Sequence, residues 1–155
     1  YRLYTYSTMN RFIDAFSEMM REYGSLTEFV RQSVNDAKCI SAVEAITSWF
    51  AAKGIEGVIP KNIQSSCKRV CMFMRWMVRS DSPVDLGLWS DIIDRRTLIM
   101  PMDTHVVQQS MRLNLLASSS TSMSAAQRLT SAMSLVFPDD PLKGDFALFG
   151  YGVNN

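Results

Sequence analysis

An aspartate at the start of a helical pattern is the residue of this sequence best placed to do chemistry. Asp103 stands in "IMPMDTHVVQQSMRLNLL", residues 99–116, where an apolar run stops and an amphipathic pattern begins. There a carboxylate can accept hydrogen bonds from the first helical turn, whose dipole favours negative charge. The same placement keeps the carboxylate rigid and ionised, which suits a group that stabilises positive charge or activates a nucleophile. Asp103 is therefore either a helix cap or a catalytic acid.

A second candidate surface is basic. The pattern "SSCKRVCMFMRWMVR" predicts a helix from Ser65 to Arg79, because its apolar residues recur at the i, i+3, i+4 spacing of a buried face. Lys68, Arg75 and Arg79 recur at i, i+7 and i+11 on another side. This basic stripe is either a solvated face or a face that contacts phosphate groups.

The elements that position these residues are predicted to be helices, because strand signals are nearly absent from the chain. A helix within residues 8–24 is expected to end at Gly24. Two S-x-x-E capping boxes, Ser25 to Glu28 and Ser41 to Glu44, predict two further helix starts. The chain therefore belongs to the all-α class.

The second half of the chain continues the helical pattern. Residues 80–101 predict a connection with short helical turns around Leu86 to Ile93, since Ser, Pro and Gly interrupt the periodicity. Helices are expected from Asp103 and over residues 124–137. Asp140 as N-cap and Pro141 as the first helical residue predict the start of a final apolar helix.

Length and composition bound the class of protein. With 155 residues, of which 47% are hydrophobic and 20% charged, residues 1–155 fit one globular domain with a sizeable core. The net charge of +1 means that any nucleic-acid contact must come from a local basic patch. No apolar run has the length of a membrane span, and no secretory signal opens the chain. We expect a soluble protein whose full length adds an N-terminal part before Tyr1.

The cysteines favour buried thiols over a metal site. Cys39, Cys67 and Cys71 are odd in number, and the last two lie within an apolar helical pattern, as is typical of a protein from a reducing compartment. A zinc site needs further ligands, yet the chain has one histidine and no CxxC pair. We therefore expect a cytoplasmic protein with no metal and no cofactor.

Several segments resemble known families. The stretch "MDTHVVQQSMRLNLL" resembles V-D-T-H-V-x-R-x-x-x-R-L-G-L of the helix-hairpin-helix DNA glycosylase superfamily, which includes endonuclease III, the adenine-specific mismatch glycosylases and the 8-oxoguanine glycosylases. More specifically, "SSCKRVCMFMRWMVR", "VDLGLW", "MDTHV" and "FPDDPLKGDFALFGYGV" resemble, in this order, an uncharacterised bacterial family that is distantly similar to these glycosylases. The resemblance implies an all-α, helix-hairpin-helix DNA glycosylase-like fold.

The resemblance also implies a reaction. Asp103 matches the catalytic aspartate of the superfamily, and Lys68 stands where bifunctional members carry the lysine that opens the helix after the hairpin. A damaged nucleotide would be flipped out of the duplex, and Asp103 would assist Lys68 or a water molecule in attacking the sugar C1′. A lysine nucleophile forms a Schiff base, which makes strand cleavage possible. Thr104 and His105 match the Thr-His pair of the family.

The hairpin departs from the superfamily pattern. L-P-G-h-G-x-K is usual, because glycines let the backbone approach a phosphate closely, whereas this chain has "NIQSSCK". Gln108 replaces an expected arginine, and the cysteines do not supply the iron–sulfur cluster of some members. Ser65 and Ser66 remain possible phosphate donors from side chain or backbone. The basic residues expected to contact phosphate are Lys61, Lys68, Arg69, Arg75 and Arg79.

Three further residue types have a structural alternative to a functional role. His105 is either an acid–base group or a packing and hydrogen-bonding group. Trp76 and Trp89 suit stacking on a flipped base, but both lie among apolar residues, which favours core packing. Asp145 is polar on an otherwise apolar helix and is either a site residue or a hydrogen-bonded core carboxylate.

We expect a DNA base-excision glycosylase, with or without lyase activity, whose partner is double-stranded DNA carrying a damaged base. It would then be associated with the nucleoid in the cytoplasm. Two alternatives stay open. One is a catalytically inactive DNA-binding module of the same fold, and the other is a helical protein-interaction domain in which Asp103 is only a cap. The oligomeric state and the identity of the damaged base do not follow from the sequence.

Overall fold

The computed structural model describes residues 4–55, 57–80 and 82–154. These residues form seven α-helices and one 3₁₀ turn at Arg95–Thr97, and they contain no strand beyond one isolated bridge between Ser65 and Ser122. The all-α prediction is confirmed. The helices are α1 Tyr6–Tyr23, α2 Leu26–Ser33, α3 Cys39–Ala52, α4 Lys68–Val78, α5 Thr104–Arg112, α6 Met123–Val136 and α7 Lys143–Asn154.

The first two helices begin and end where local signals predict. The α1 helix ends at Tyr23 and is followed by the predicted Gly24 cap, whose φ of 79° is one that other residues rarely adopt. The Ser25 hydroxyl then accepts a hydrogen bond from the Glu28 N–H and caps α2. Because these signals act within a few residues, the chain turns directly from α1 into α2, which packs against it.

The start of α3 differs from the prediction of a capping box at Ser41. The helix begins at Cys39, because the Thr97 hydroxyl, far along the chain, accepts the Cys39 N–H at 2.9 Å. Asp36 accepts hydrogen bonds from the Lys38 N–H and the Ser41 hydroxyl. The serine therefore supports the preceding turn instead of capping the helix.

The fourth helix is shorter than the predicted span of Ser65 to Arg79. The Ser66 N–H donates to the Thr121 carbonyl at 2.8 Å, so this segment pairs with a distant loop instead of starting a helix. Cys67 follows in a left-handed conformation, with a φ of 47°. Lys68 is therefore the first residue of α4.

The last three helices complete the framework. The α5 helix begins after Asp103 as predicted and ends at Arg112, before Asn114 takes a left-handed φ of 57°. The α6 helix is capped by Ser122. The α7 helix begins at Lys143 and not at Pro141, because Asp140 accepts the Leu142 N–H within a preceding turn.

Helices α5 and α7 pack along each other, and the buried apolar side chains of the described residues form one connected cluster. Its most buried members include Met19, Val30, Val43, Met74, Trp89, Leu98, Met100, Val106, Leu129 and Leu142. Near the end of α7 a Cβ added to Gly152 would lie 2.9 Å from the His105 Cβ, so glycine permits the close approach to α5. No helix in the described ranges is both long and apolar enough to cross a membrane.

Candidate active site at the starts of two helices

The structure brings Lys68 and Asp103 together. The lysine is the first residue of α4, and its Nζ donates a hydrogen bond to Oδ2 of Asp103. The other carboxylate oxygen, Oδ1, accepts the His105 N–H at 2.9 Å and caps α5. Both side chains remain accessible, with 47% of the lysine and 20% of the aspartate exposed. Asp103 thus serves as a helix cap and as an ion-pair partner at the same time.

The surroundings keep Asp103 ionised. Partial burial alone raises the pKa of its carboxyl group, but the hydrogen bonds from Lys68 and from the His105 N–H outweigh that effect. The charge of Lys68 adds to the lowering, and the net pKa lies below the ordinary value. A carboxylate of this kind stays negative at neutral pH and is held rigidly by the helix it caps.

A cleft of about 340 Å³, lined by both polar and apolar residues, adjoins the lysine. Its wall includes residues of the loop before α4, the first residues of α4, Met102 beside Asp103, and Thr121 from the loop before α6. A molecule in this cleft reaches Lys68 from solvent. Because the lysine and the aspartate are in direct contact, a sugar C1′ fits between them only after the ion pair separates.

Ser65 and Ser66 differ in their availability. Ser65 is exposed, and its hydroxyl lies 3.5 Å from the Cys67 N–H. Ser66 is buried, and its N–H is occupied by the Thr121 carbonyl. The expectation that the Ser66 backbone can donate to a phosphate is therefore wrong, since its donor already pairs with the neighbouring loop.

The prediction of an accessible basic stripe along α4 is also wrong for two of its three residues. Arg75 and Arg79 are 2% and 6% exposed, so neither guanidinium can contact DNA from this position. Arg75 Nη1 donates to Asp145 at 2.7 Å, and Arg79 Nε donates to Asp140 at 2.9 Å. Asp85, also buried, accepts a hydrogen bond from Arg79 Nη1 at 3.1 Å. These five side chains form a buried ion-pair network that ties α4 to α7.

Asp145 lies in this network as a buried carboxylate, in keeping with the structural alternative given for it. Burial raises its pKa, and the negative charge of Asp103 adds to the rise, while the charges of Arg75 and Arg79 oppose it. The Phe146 ring covers the Arg75 guanidinium at 4.1 Å. The residues that the sequence reasoning missed as partners of the arginines are Asp85 and Asp140. The available signal was that Arg75 and Arg79 stand among apolar residues in the stretch "MFMRWMVR".

The two tryptophan candidates differ in how far their side chains are exposed. Trp89 is fully buried, its Nε1 donates to the Thr27 hydroxyl at 2.9 Å, and its ring packs edge-on against Phe73. Trp76 is 41% exposed, so the expectation of core packing is wrong for it. It lies eight residues beyond Lys68 on the same helix, about 12 Å along the axis.

His105 lies in the contact between α5 and α7. Its ring meets Phe149 edge-on at 5.8 Å, and its Nδ1 is buried without a hydrogen-bond partner among the described residues. Packing therefore describes its position, in agreement with the structural alternative. Lys61 and Arg69 remain exposed near the start of α4, as the predicted phosphate contacts require.

Neither the cysteines nor the acids of the described ranges form a metal-binding group. No three His, Cys, Asp or Glu side chains in these ranges lie close enough together to hold an ion. All three cysteines are buried free thiols, and burial raises the pKa of Cys39 to about 12.

The model of a family described as "Protein of unknown function (DUF2400)" matches residues 1–154. The searches of curated proteins and of solved structures found no match.

Proposed function

Because the chain belongs to this family of unknown function, we propose its activity from the site: it is a DNA N-glycosylase with lyase chemistry that removes a flipped, damaged base. The finer fold assignment in this proposal is a helix-hairpin-helix glycosylase-like domain. The observation that carries the proposal is the accessible ion pair between Lys68 and Asp103. It joins an amine and a rigid carboxylate at the starts of α4 and α5.

The first step replaces the base by the lysine. The Lys68 nitrogen forms a bond to C1′ while the bond from C1′ to the base nitrogen breaks, and its electron pair leaves with the base. One proton of the Lys68 ammonium passes to the departing base, which leaves neutral, and the lone pair that this proton frees on nitrogen forms the bond to C1′. Asp103 stays ionised and stabilises the positive charge that develops on the sugar.

The second step produces a reducible adduct. The C1′–O4′ bond breaks and O4′ takes a proton from the lysine nitrogen, so that nitrogen and C1′ are left as a protonated Schiff base. The proton inventory balances within the enzyme–DNA complex and needs no added reductant or oxidant. Removal of a proton from C2′ would then cleave the strand on the 3′ side.

The exposed cations near the start of α4 are assigned to the phosphate backbone in this proposal. Arg69 is exposed and lines the cleft beside Lys68, whereas Lys61 is exposed in the loop that leads to it. Charge-removing changes at these two positions should weaken DNA binding without regard to sequence, and each should reduce the salt slope by about one. Arg75 and Arg79 no longer belong to this group, because both are buried.

The test is base release from a panel of duplexes carrying oxidised, alkylated or deaminated bases. The wild-type full-length protein should release at least one of these bases. Asp103→Asn should abolish release while folding and duplex affinity stay nearly unchanged, because asparagine caps a helix as well as aspartate does but carries no charge. If the protein binds duplex DNA but releases a base from none of the lesions, the glycosylase proposal is wrong, and a catalytically inactive DNA-binding module of the same fold takes its place.

A further inference from the structure

A second concave surface lies on the side of α4 that faces α1 and α3, and we propose that it binds a small amphipathic organic anion. The apolar body would occupy the groove, and a single carboxylate would pair with Arg69. We call this surface the aromatic groove. Its floor and walls include Ile46, Phe50, Phe12, Phe16 and Phe73, and Arg69 stands at its rim.

The interior of the aromatic groove is almost entirely hydrocarbon. Phe12 and Phe50 stack at 5.1 Å with an angle of 22° between their rings, which makes one wall flat and rigid. Phe12, Phe16 and Phe73 pack against the core, but each ring remains partly exposed. Water in such a groove finds few hydrogen-bond partners, so an apolar group that displaces it gains free energy.

The size of the groove selects the kind of occupant. Its volume of about 280 Å³ lies just below the range for ligand sites, which starts near 300 Å³. That space holds one ring with a short chain. A partner helix would need a longer apolar surface that takes side chains from several turns. The dimensions therefore favour a small molecule over a protein segment.

The charge at the rim selects an anion. Arg69 is exposed on the first turn of α4, with its guanidinium 5.9 Å from the Tyr4 ring centre. No carboxylate of the described residues lies within ion-pair distance of it, whereas Arg31, Lys53 and Lys68 all have such partners. A guanidinium binds a carboxylate through two parallel hydrogen bonds. A guanidinium with no carboxylate partner among the described residues, beside an apolar groove, thus complements a molecule with an apolar body and one carboxylate.

The test uses 3-phenylpropanoate and its neutral amide, titrated into ¹⁵N-labelled wild-type protein without DNA. The acid should shift the amide resonances around Phe12, Phe50 and Arg69, and it should bind about fivefold more tightly than the amide. Arg69→Gln should lower the affinity for the acid to that for the amide, while leaving the amide unaffected. Arg128→Gln, an exposed change of the same kind on α6, is the matched control and should alter neither.

Three outcomes would overturn the proposal. They are an absence of shifts at the aromatic groove at millimolar ligand, equal affinities of acid and amide, and unchanged binding of the acid to Arg69→Gln. The dispersion of the variant's own spectrum shows whether it is folded, and Arg69→Lys should keep part of the preference for the acid. Because DNA and base release play no part, the result stands whether or not the proposed glycosylase activity is found.

Discussion

The two ends of α4 carry the same kind of residue in opposite environments. At its start the ammonium of Lys68 pairs with Asp103 where solvent reaches both groups. Towards its end the guanidiniums of Arg75 and Arg79 are buried with carboxylates from α7 and the adjoining loops. An accessible pair opens at little cost, whereas a buried pair cannot lose one member without leaving a charge unpaired. The first pair is therefore suited to chemistry and the second to holding the helices together.

Removing one charge from the buried network should have the largest effect on stability. Arg75→Met leaves Asp145 buried without its ion-pair partner, and we expect a loss of about 3–5 kcal/mol in the free energy of unfolding. Lys68→Met, the matched change at the other end of α4, should cost less than about 1 kcal/mol. Urea denaturation at neutral pH measures both.

A conservative change separates charge from hydrogen-bond geometry in the network. Arg75→Lys keeps the positive charge but loses the planar fork, so its cost should fall between those of the two methionine variants. Equal losses for Arg75→Met and Lys68→Met would show that the two ends of α4 are not energetically different.

At the accessible pair, a smaller effect should distinguish capping from charge. Asp103→Ala removes the acceptor for the His105 N–H and should cost about 1 kcal/mol. Asp103→Asn should cost only a few tenths of a kcal/mol, since asparagine also caps helices well. The same denaturation experiment compares them, and similar losses for both variants would mean that the charge of Asp103, and not its capping bond, stabilises the fold.

The smallest effect concerns pH, and its sign should differ between the two regions. The folded pKa of Asp103 is lowered, so its contribution to stability is present above its ordinary pKa and is lost as the pH falls through the folded value. The folded pKa of Asp145 is raised, so its contribution is present below the ordinary pKa and is lost as the pH rises through the folded value.

Unfolding free energies between about pH 3 and pH 6 test this difference. The stability advantage of the wild type over Asp103→Asn should grow as the pH rises, and its advantage over Asp145→Asn should shrink. Trends in the same direction for both variants would mean that the two carboxylates share one type of environment.

Helix boundaries are predicted correctly from the sequence where the signal acts over a few residues. Gly24 ends α1, Ser25 starts α2 and Asp103 starts α5, because a cap and its N–H partners lie within one turn. A helix boundary is predicted wrongly where the hydrogen-bond partner that sets it lies far along the chain. Cys39 starts α3 because of Thr97, which is 58 residues away.

The residues around α4 show the same limit on what the local sequence can predict. The pairing of Lys68 with Asp103 followed from a family resemblance and not from their spacing. Periodicity placed Arg75 on a polar side of α4, but it carries no information about Asp145, which is 70 residues away and supplies the carboxylate that allows the guanidinium to be buried. A charged residue in a helical pattern therefore has a role that depends on what the fold brings to it.

Borohydride trapping of a covalent enzyme–DNA adduct tests the central proposal most directly. Full-length wild-type protein, mixed with lesion-bearing duplex and reduced, should give an adduct, because the Schiff base of Lys68 is converted into a stable amine. Lys68→Gln should give none, while Lys143→Gln, the same change at an exposed lysine with no assigned contact to DNA, should still trap. Undiminished trapping by Lys68→Gln, or none by the wild type on any lesion or abasic duplex, would contradict the assignment of Lys68 as nucleophile.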